Sequence, residues 1–228
     1  SRWPRAWAAL LAQDWPSWQA AGFEALGWLV VGMALRTLTR PNYVWPLLGF
    51  LAATALTAQF TLFVGSAKLT EPVGAALGLL AWPLFARLPD RRQLPLLFLL
   101  VAAALTWRGL EPFTFVGRPH GINLVPFADL ISRGSTGFDL PLFFGKAFWY
   151  GALAWALVQL GTGALTAGVA VAGLLLGIEV LQMWTPAGHH RASITDPLVA
   201  IAAGIVTALF TAGPSAEPAA AGARRKKA

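Results

Sequence analysis

The chain has 228 residues, of which 57% are hydrophobic and only 12% charged; soluble domains carry about 25% charged residues, so an ordinary soluble domain is excluded and a membrane protein is expected. Seventeen Lys and Arg against ten Asp and Glu give a net charge of +7, which fits basic residues at membrane boundaries and a basic tail and not a nucleic-acid surface. Cysteine is absent, which excludes disulfides and thiol chemistry.

Residues 1–18 carry Trp3, Trp7, Trp15 and Trp18 beside Arg2, Arg5 and Asp14. Tryptophan prefers the headgroup level, so this stretch predicts an interfacial helix lying on the membrane. A first span follows over about 18–38, with Glu24 inside it and Arg36 near its end; Pro41-Asn42 breaks it. The second span covers about 44–64. The third and fourth, about 72–86 and 93–107, are short, and Arg87, Arg91, Arg92 and Arg108 extend them by snorkelling. Leu88-Pro89-Asp90 is a turn between them.

Residues 108–140 are the longest stretch that is not apolar, and contain Gly121-Ile122-Asn123-Leu124-Val125-Pro126-Phe127. Pro126 prevents a simple helix there. Asn123 is either a turn former or a polar group dipping toward a site. The apolar residues around it suit a segment inserted against the helices at the membrane surface, where re-entry is allowed if protein covers the backbone.

The fifth span, about 141–161, has Lys146 in its first turns, read as snorkelling or a surface position, as Glu24 is. Gly161-Thr162-Gly163 turns into the sixth span, about 164–184, whose last turns hold Glu179 and Gln182. Pro197, after Ser193, Thr195 and Asp196, starts the seventh span, which ends near Thr211. Residues 213–228 read as a disordered basic tail.

The expected fold is therefore all-α: a polytopic membrane helix bundle of about seven transmembrane helices plus the N-terminal interfacial helix. With seven spans, the 108–140 and 185–195 loops share one side and the tail lies on the other. Nine basic residues on the tail side against seven opposite place the tail in the cytoplasm and the two polar loops outside.

The densest polar group lies between the sixth and seventh spans. Glu179 and Gln182, three residues apart, share a helix face. They either make helix–helix hydrogen bonds, or an ion pair with Arg191, or face a ligand. Asp196 or Thr195 either caps the seventh helix while Arg191 pairs with Glu179 or Asp196, or Arg191 and the helix N-terminus hold an anion. His190 is either a surface loop residue or a proton-transfer group. Adjacent His189 and His190 lack the spacing of a metal site, so no metal and no cofactor is expected.

Three of these features, in this order, resemble the VanZ-like family of bacterial integral membrane proteins: Asn123-Leu124-Val125-Pro126-Phe127, Glu179-x-x-Gln182, and Arg191 followed by Asp196. The resemblance covers about residues 91–212, leaving 1–90 as an additional N-terminal membrane region. One position departs: where the family usually has Asn about four residues after the Asp, this chain has Ala200. The resemblance implies a multi-pass protein of the bacterial inner (cytoplasmic) membrane and, as for the family's founding members, resistance to teicoplanin. The expected site comprises Asn123, Glu179, Gln182, His190, Arg191 and Asp196. Its expected partners are membrane lipids and an anionic lipid-linked cell-wall precursor or lipoglycopeptide, with no nucleic acid. Two other classes stay open: an enzyme acting on a lipid-linked phosphate or acyl group, with Glu179 or His190 as base and Arg191 as charge stabiliser, and a structural subunit of an envelope complex.

Overall fold

The computed structural model describes residues 17–62, 69–131, 139–185 and 192–211. The expected interfacial helix falls almost wholly outside these residues, and so does the basic tail. Seven α-helices lie among the described residues: α1 Trp18–Leu38, α2 Pro41–Leu62, α3 Thr70–Ala86, α4 Asp90–Leu110, α5 Leu140–Gln159, α6 Ala164–Gln182 and α7 Thr195–Thr211. A single 3-10 turn, Ala128–Leu130, sits between α4 and α5.

These helices form where apolar residues run on without a charged face. Their ends follow local chemistry. The Ser17 hydroxyl accepts the Ala20 N–H at 3.3 Å and starts α1. The Asp139 carboxylate accepts the Leu142 N–H at 3.0 Å and starts α5, with Pro141 in the first turn. Pro41 ends the α1 pattern as expected, but it also begins α2, three residues earlier than the apolar run suggests, because a fixed φ is favourable in a first helical turn. Helix α4 likewise begins at Asp90 and takes Arg91 and Arg92 into its first turn.

Helices α1, α4, α5 and α6 are long and apolar enough to cross a membrane. Each has 19–21 residues, a length of about 30 Å at 1.5 Å per residue, which matches the hydrocarbon core. The all-helical fold and these four helices support a membrane protein.

The chain divides into two compact units, Ser1–Arg108 and Gly109–Ala228. In the first, α1 packs on α3 and, less extensively, both pack on α2. The α1–α3 approach is close because α3 presents glycines: a Cβ on Gly74 would lie 2.3 Å from Glu24 Cβ, and one on Gly78 would lie 2.5 Å from Trp28 Cβ. Glu24 keeps an exposed position, as the sequence predicts. Near the end of α1, Arg36 donates to Asp90 Oδ1 at 2.7 Å and to Gln93 Oε1 at 2.5 Å.

In the second unit α6 packs along α7, and α5 packs on both. The α6–α7 crossing is tight. A Cβ on Gly168 would sit 2.9 Å from Gly204 Cα, and one on Gly204 would sit 2.7 Å from Gly168 Cα. Leu153, Ala154, Ala167, Val171 and Ala200 fill the apolar interior of this unit.

Candidate functional site

The polar groups of the second unit gather at the C-terminal end of α6 and the N-terminal end of α7. The 121–127 segment is joined to this place by backbone bonds. Asn123 forms a parallel bridge with Ser193: the Asn123 N–H donates to Ala192 O at 2.8 Å, and the Ile194 N–H donates to Asn123 O at 3.1 Å. The Asn123 side chain accepts the Val125 N–H at 3.0 Å, two residues on. It is thus the turn former of the two readings, while its backbone fixes the loop to the start of α7.

Glu179 is 4% exposed, and its Oε2 accepts the Ser193 N–H at 2.6 Å. The bond gives the buried carboxyl oxygen a partner, which a polar group shielded from water needs. Gln182, one turn further on α6, donates to Gly109 O at 2.8 Å. Helix α6 lies close enough to do this because position 109 has no side chain; a Cβ there would lie 2.6 Å from Ile178 Cγ2.

The start of α7 is held by Ser193 and Thr195. Ser193 Oγ accepts the Thr195 N–H at 3.1 Å and donates to Thr195 Oγ1 at 2.9 Å. Thr195 Oγ1 also accepts the Phe127 N–H at 2.9 Å, so the same hydroxyl ties the end of the 121–127 segment to the helix. This revises the expected cap, because Asp196 is free of that duty and points toward α5. Its Oδ1 pairs with Lys146 Nζ at 2.5 Å, and its Oδ2 accepts the Tyr150 hydroxyl at 2.5 Å. The Lys146 and Asp196 side chains are only 18% and 17% exposed.

Lys146 is therefore not a snorkelling or surface lysine. An ammonium drawn into an apolar bundle needs a partner, and Asp196 supplies it. Lys146 and Tyr150 are four residues apart on α5 and so share one face; that spacing was the sequence signal for their common role. Asp196 and Lys146 both lie within electrostatic reach of the Glu179 carboxyl. The result is a compact group of two carboxyls, one ammonium, one phenol and two hydroxyls, drawn from α5, α6, α7 and the residues just before α7.

Of the expected site residues, Asn123 and Glu179 are joined through Ser193, Asp196 lies within electrostatic reach of Glu179, and Gln182 lies one helical turn from Glu179. His190 and Arg191 lie outside the described residues. Among the described residues no group of three or more His, Cys, Asp or Glu is placed to hold a metal ion. Ala200, one turn beyond Asp196, is fully buried.

Compared with protein-family models, with curated proteins and with solved structures, the chain matches none.

Proposed function

We propose that this chain is a VanZ-like protein of the bacterial inner membrane, with α1–α7 all crossing the bilayer. In this reading the 111–131 segment and the α6–α7 connection face outward and the basic tail is cytoplasmic. The group around Glu179 and Asp196 engages the head of an anionic amphiphile, a lipid-linked cell-wall precursor or a lipoglycopeptide of the teicoplanin type. The observation that carries the reading is the meeting of separate motifs: Asn123 bridges Ser193, Ser193 binds Glu179, and Glu179 lies within electrostatic reach of Asp196. Residues 70 positions apart in sequence thus converge at one helix end.

The charges decide which residue matters most. Two carboxyls stand against one ammonium in the described group, and Lys146 is already held by Asp196. An anionic head therefore depends on Arg191, whose planar fork suits phosphate or carboxylate. Alanine at position 200, in place of the family's usual Asn, removes a polar group from the same face of α7 and favours binding over turnover.

The test uses purified protein in nanodiscs and a polyprenyl phosphate as probe. The wild type binds saturably, Arg191→Lys keeps its thermal stability but loses binding, and cells carrying it lose tolerance to teicoplanin. Equal binding by wild type and Arg191→Lys rejects the headgroup reading.

A second reading is favoured by the closure of the hydrogen bonds. Glu179, Gln182, Asp196 and Lys146 each have a protein partner, which is also what a scaffold in a structural subunit requires. In that case the double variant Arg191→Met with Glu179→Leu retains both stability and function.

A further inference from the structure

The segment between α4 and α5 has the polarity of a soluble loop turned inside out. Its backbone groups point inward to the ends of α6 and α7. The Val116 N–H donates to Trp184 O at 2.6 Å and the His120 N–H to Met183 O at 2.8 Å. The His120 ring bonds Thr185 O, Asn123 bridges residues 192–194, and the Phe127 N–H reaches Thr195 Oγ1. Its large apolar side chains do the opposite: Phe113, Phe115, Leu124, Val125, Phe127 and Ile131 are exposed, Leu124 to 66% and Val125 to 63%.

A loop in water directs polar groups outward and leaves large apolar side chains inside. An exposed apolar patch of this size marks a contact surface. Continuity identifies what covers it. The Asp139 N–H donates to Leu130 O at 2.8 Å, which holds the segment beside the start of α5, whose first turns expose Leu140, Leu142 and Phe144, and the segment lies against the end of α6, where Trp184 is exposed. Both helices are long and apolar enough to cross a membrane, so their exposed faces are lipid-facing and the patch extends them. Irregular backbone is tolerated at that depth only when its polar groups are satisfied by protein, and the bonds to Trp184, Met183, Ala192 and Thr195 meet that condition. Among the described side chains of the segment, the exposed charges Glu111 and Arg118 lie away from the Leu124–Phe127 tip in sequence.

We propose that residues 113–127 are embedded in the bilayer at the boundary between headgroups and acyl chains, with Leu124 and Val125 as the inserted tip and Arg118 at the headgroup level. The partner is the lipid surface itself, whatever the polar group of α5–α7 binds.

The chain is free of cysteine, so single nitroxide labels can be placed by Leu124→Cys, Val125→Cys and Arg118→Cys. Each labelled protein is reconstituted into vesicles of phosphatidylethanolamine and phosphatidylglycerol, and its collisions with oxygen and with a water-soluble nickel chelate are compared. The ratio of oxygen to chelate collisions at 124 and 125 should exceed that at 118 several-fold, because apolar oxygen concentrates in hydrocarbon and the polar chelate is excluded from it. Equal chelate access at all three positions would place the tip in water and overturn the proposal. Exclusion of both probes from 124 and 125 would place it under protein and overturn it too. Both tip side chains are exposed, so the substitutions leave the fold intact; unchanged thermal midpoints in detergent verify this, and either position alone suffices for the reading.

Discussion

Arg36 and Lys146 are both basic residues within apolar helices, and they meet their acidic partners in opposite ways. Arg36 reaches Asp90, whose side chain is 83% exposed, and Gln93, which is fully buried. Gln93 donates in turn to Leu88 O at 2.6 Å and Ala86 O at 3.3 Å. The whole group fastens one turn, that between α3 and α4, and its other acceptors are backbone carbonyls left over at a helix end. Lys146 meets an aspartate shielded as well as itself, and that aspartate also binds Tyr150 and lies within electrostatic reach of Glu179. Its group joins side chains of three helices and contains more carboxyl than ammonium. A turn needs only the first kind of arrangement. The second concentrates charge well beyond what joining helices requires, and this difference marks the Lys146 group as the candidate site.

The sharpest way to break the contrast is Asp196→Ala. It strands Lys146 in an apolar setting and should cost about 3 kcal/mol, the low end for a buried pair because both side chains keep some exposure. Thermal unfolding in detergent measures it, and pairing the change with Lys146→Met should restore much of the loss. A cost near that of a surface pair would erase the distinction. On the other side, Gln93→Leu leaves the Leu88 and Ala86 carbonyls and one Arg36 donor without their partner, for a loss of about 2 kcal/mol. That loss should be local, so limited proteolysis should find earlier cutting at the α3–α4 turn and no change in amphiphile binding. Tyr150→Phe removes one hydroxyl from Asp196 and should lower stability by about 1 kcal/mol; if Asp196 belongs to the binding group, polyprenyl phosphate affinity should change as well. The smallest effect is expected for Asp90→Ala, about 0.5 kcal/mol or less, since exposed ion pairs contribute little. A melting curve that moves by several degrees for Asp90→Ala would mean that the turn is more than a fastening.

The helices were readable from the sequence because each is a mainly apolar run between strong signals: Pro41, Pro89, Gly161 to Gly163, and Ser193 to Pro197. Their ends were read less well where polar residues continue a helix. Arg91 and Arg92 look like loop residues by polarity, yet Asp90 opens the helix and takes both into its first turn. At the site, Glu179, Gln182 and Asp196 stand out because charge and amide groups are costly near hydrocarbon. Lys146 was hidden by its own flexibility, since a lysine in the first turns of a span fits snorkelling equally well, and only the contact with Asp196, 50 residues away, separates the two. The Asn123–Ser193 bridge was not legible either, because a single bridge leaves no alternating pattern in sequence. The fourfold spacing of Lys146 and Tyr150, opposite an acidic helix start, is the pattern that would have pointed to the pair.

The contact of Gly168 with Gly204 gives the candidate site a floor. Gly204 lies eight residues along α7 from Asp196, a depth of about 12 Å. At that level the two helices touch backbone to backbone, with a hypothetical methyl group already overlapping the neighbouring chain. No acyl chain fits through such a seam. An amphiphile whose head rests beside Asp196 must therefore route a tail longer than about 12 Å around the outside of the α6–α7 pair, and the lateral doorway that many lipid-handling bundles open between neighbouring helices is closed here by two absent side chains.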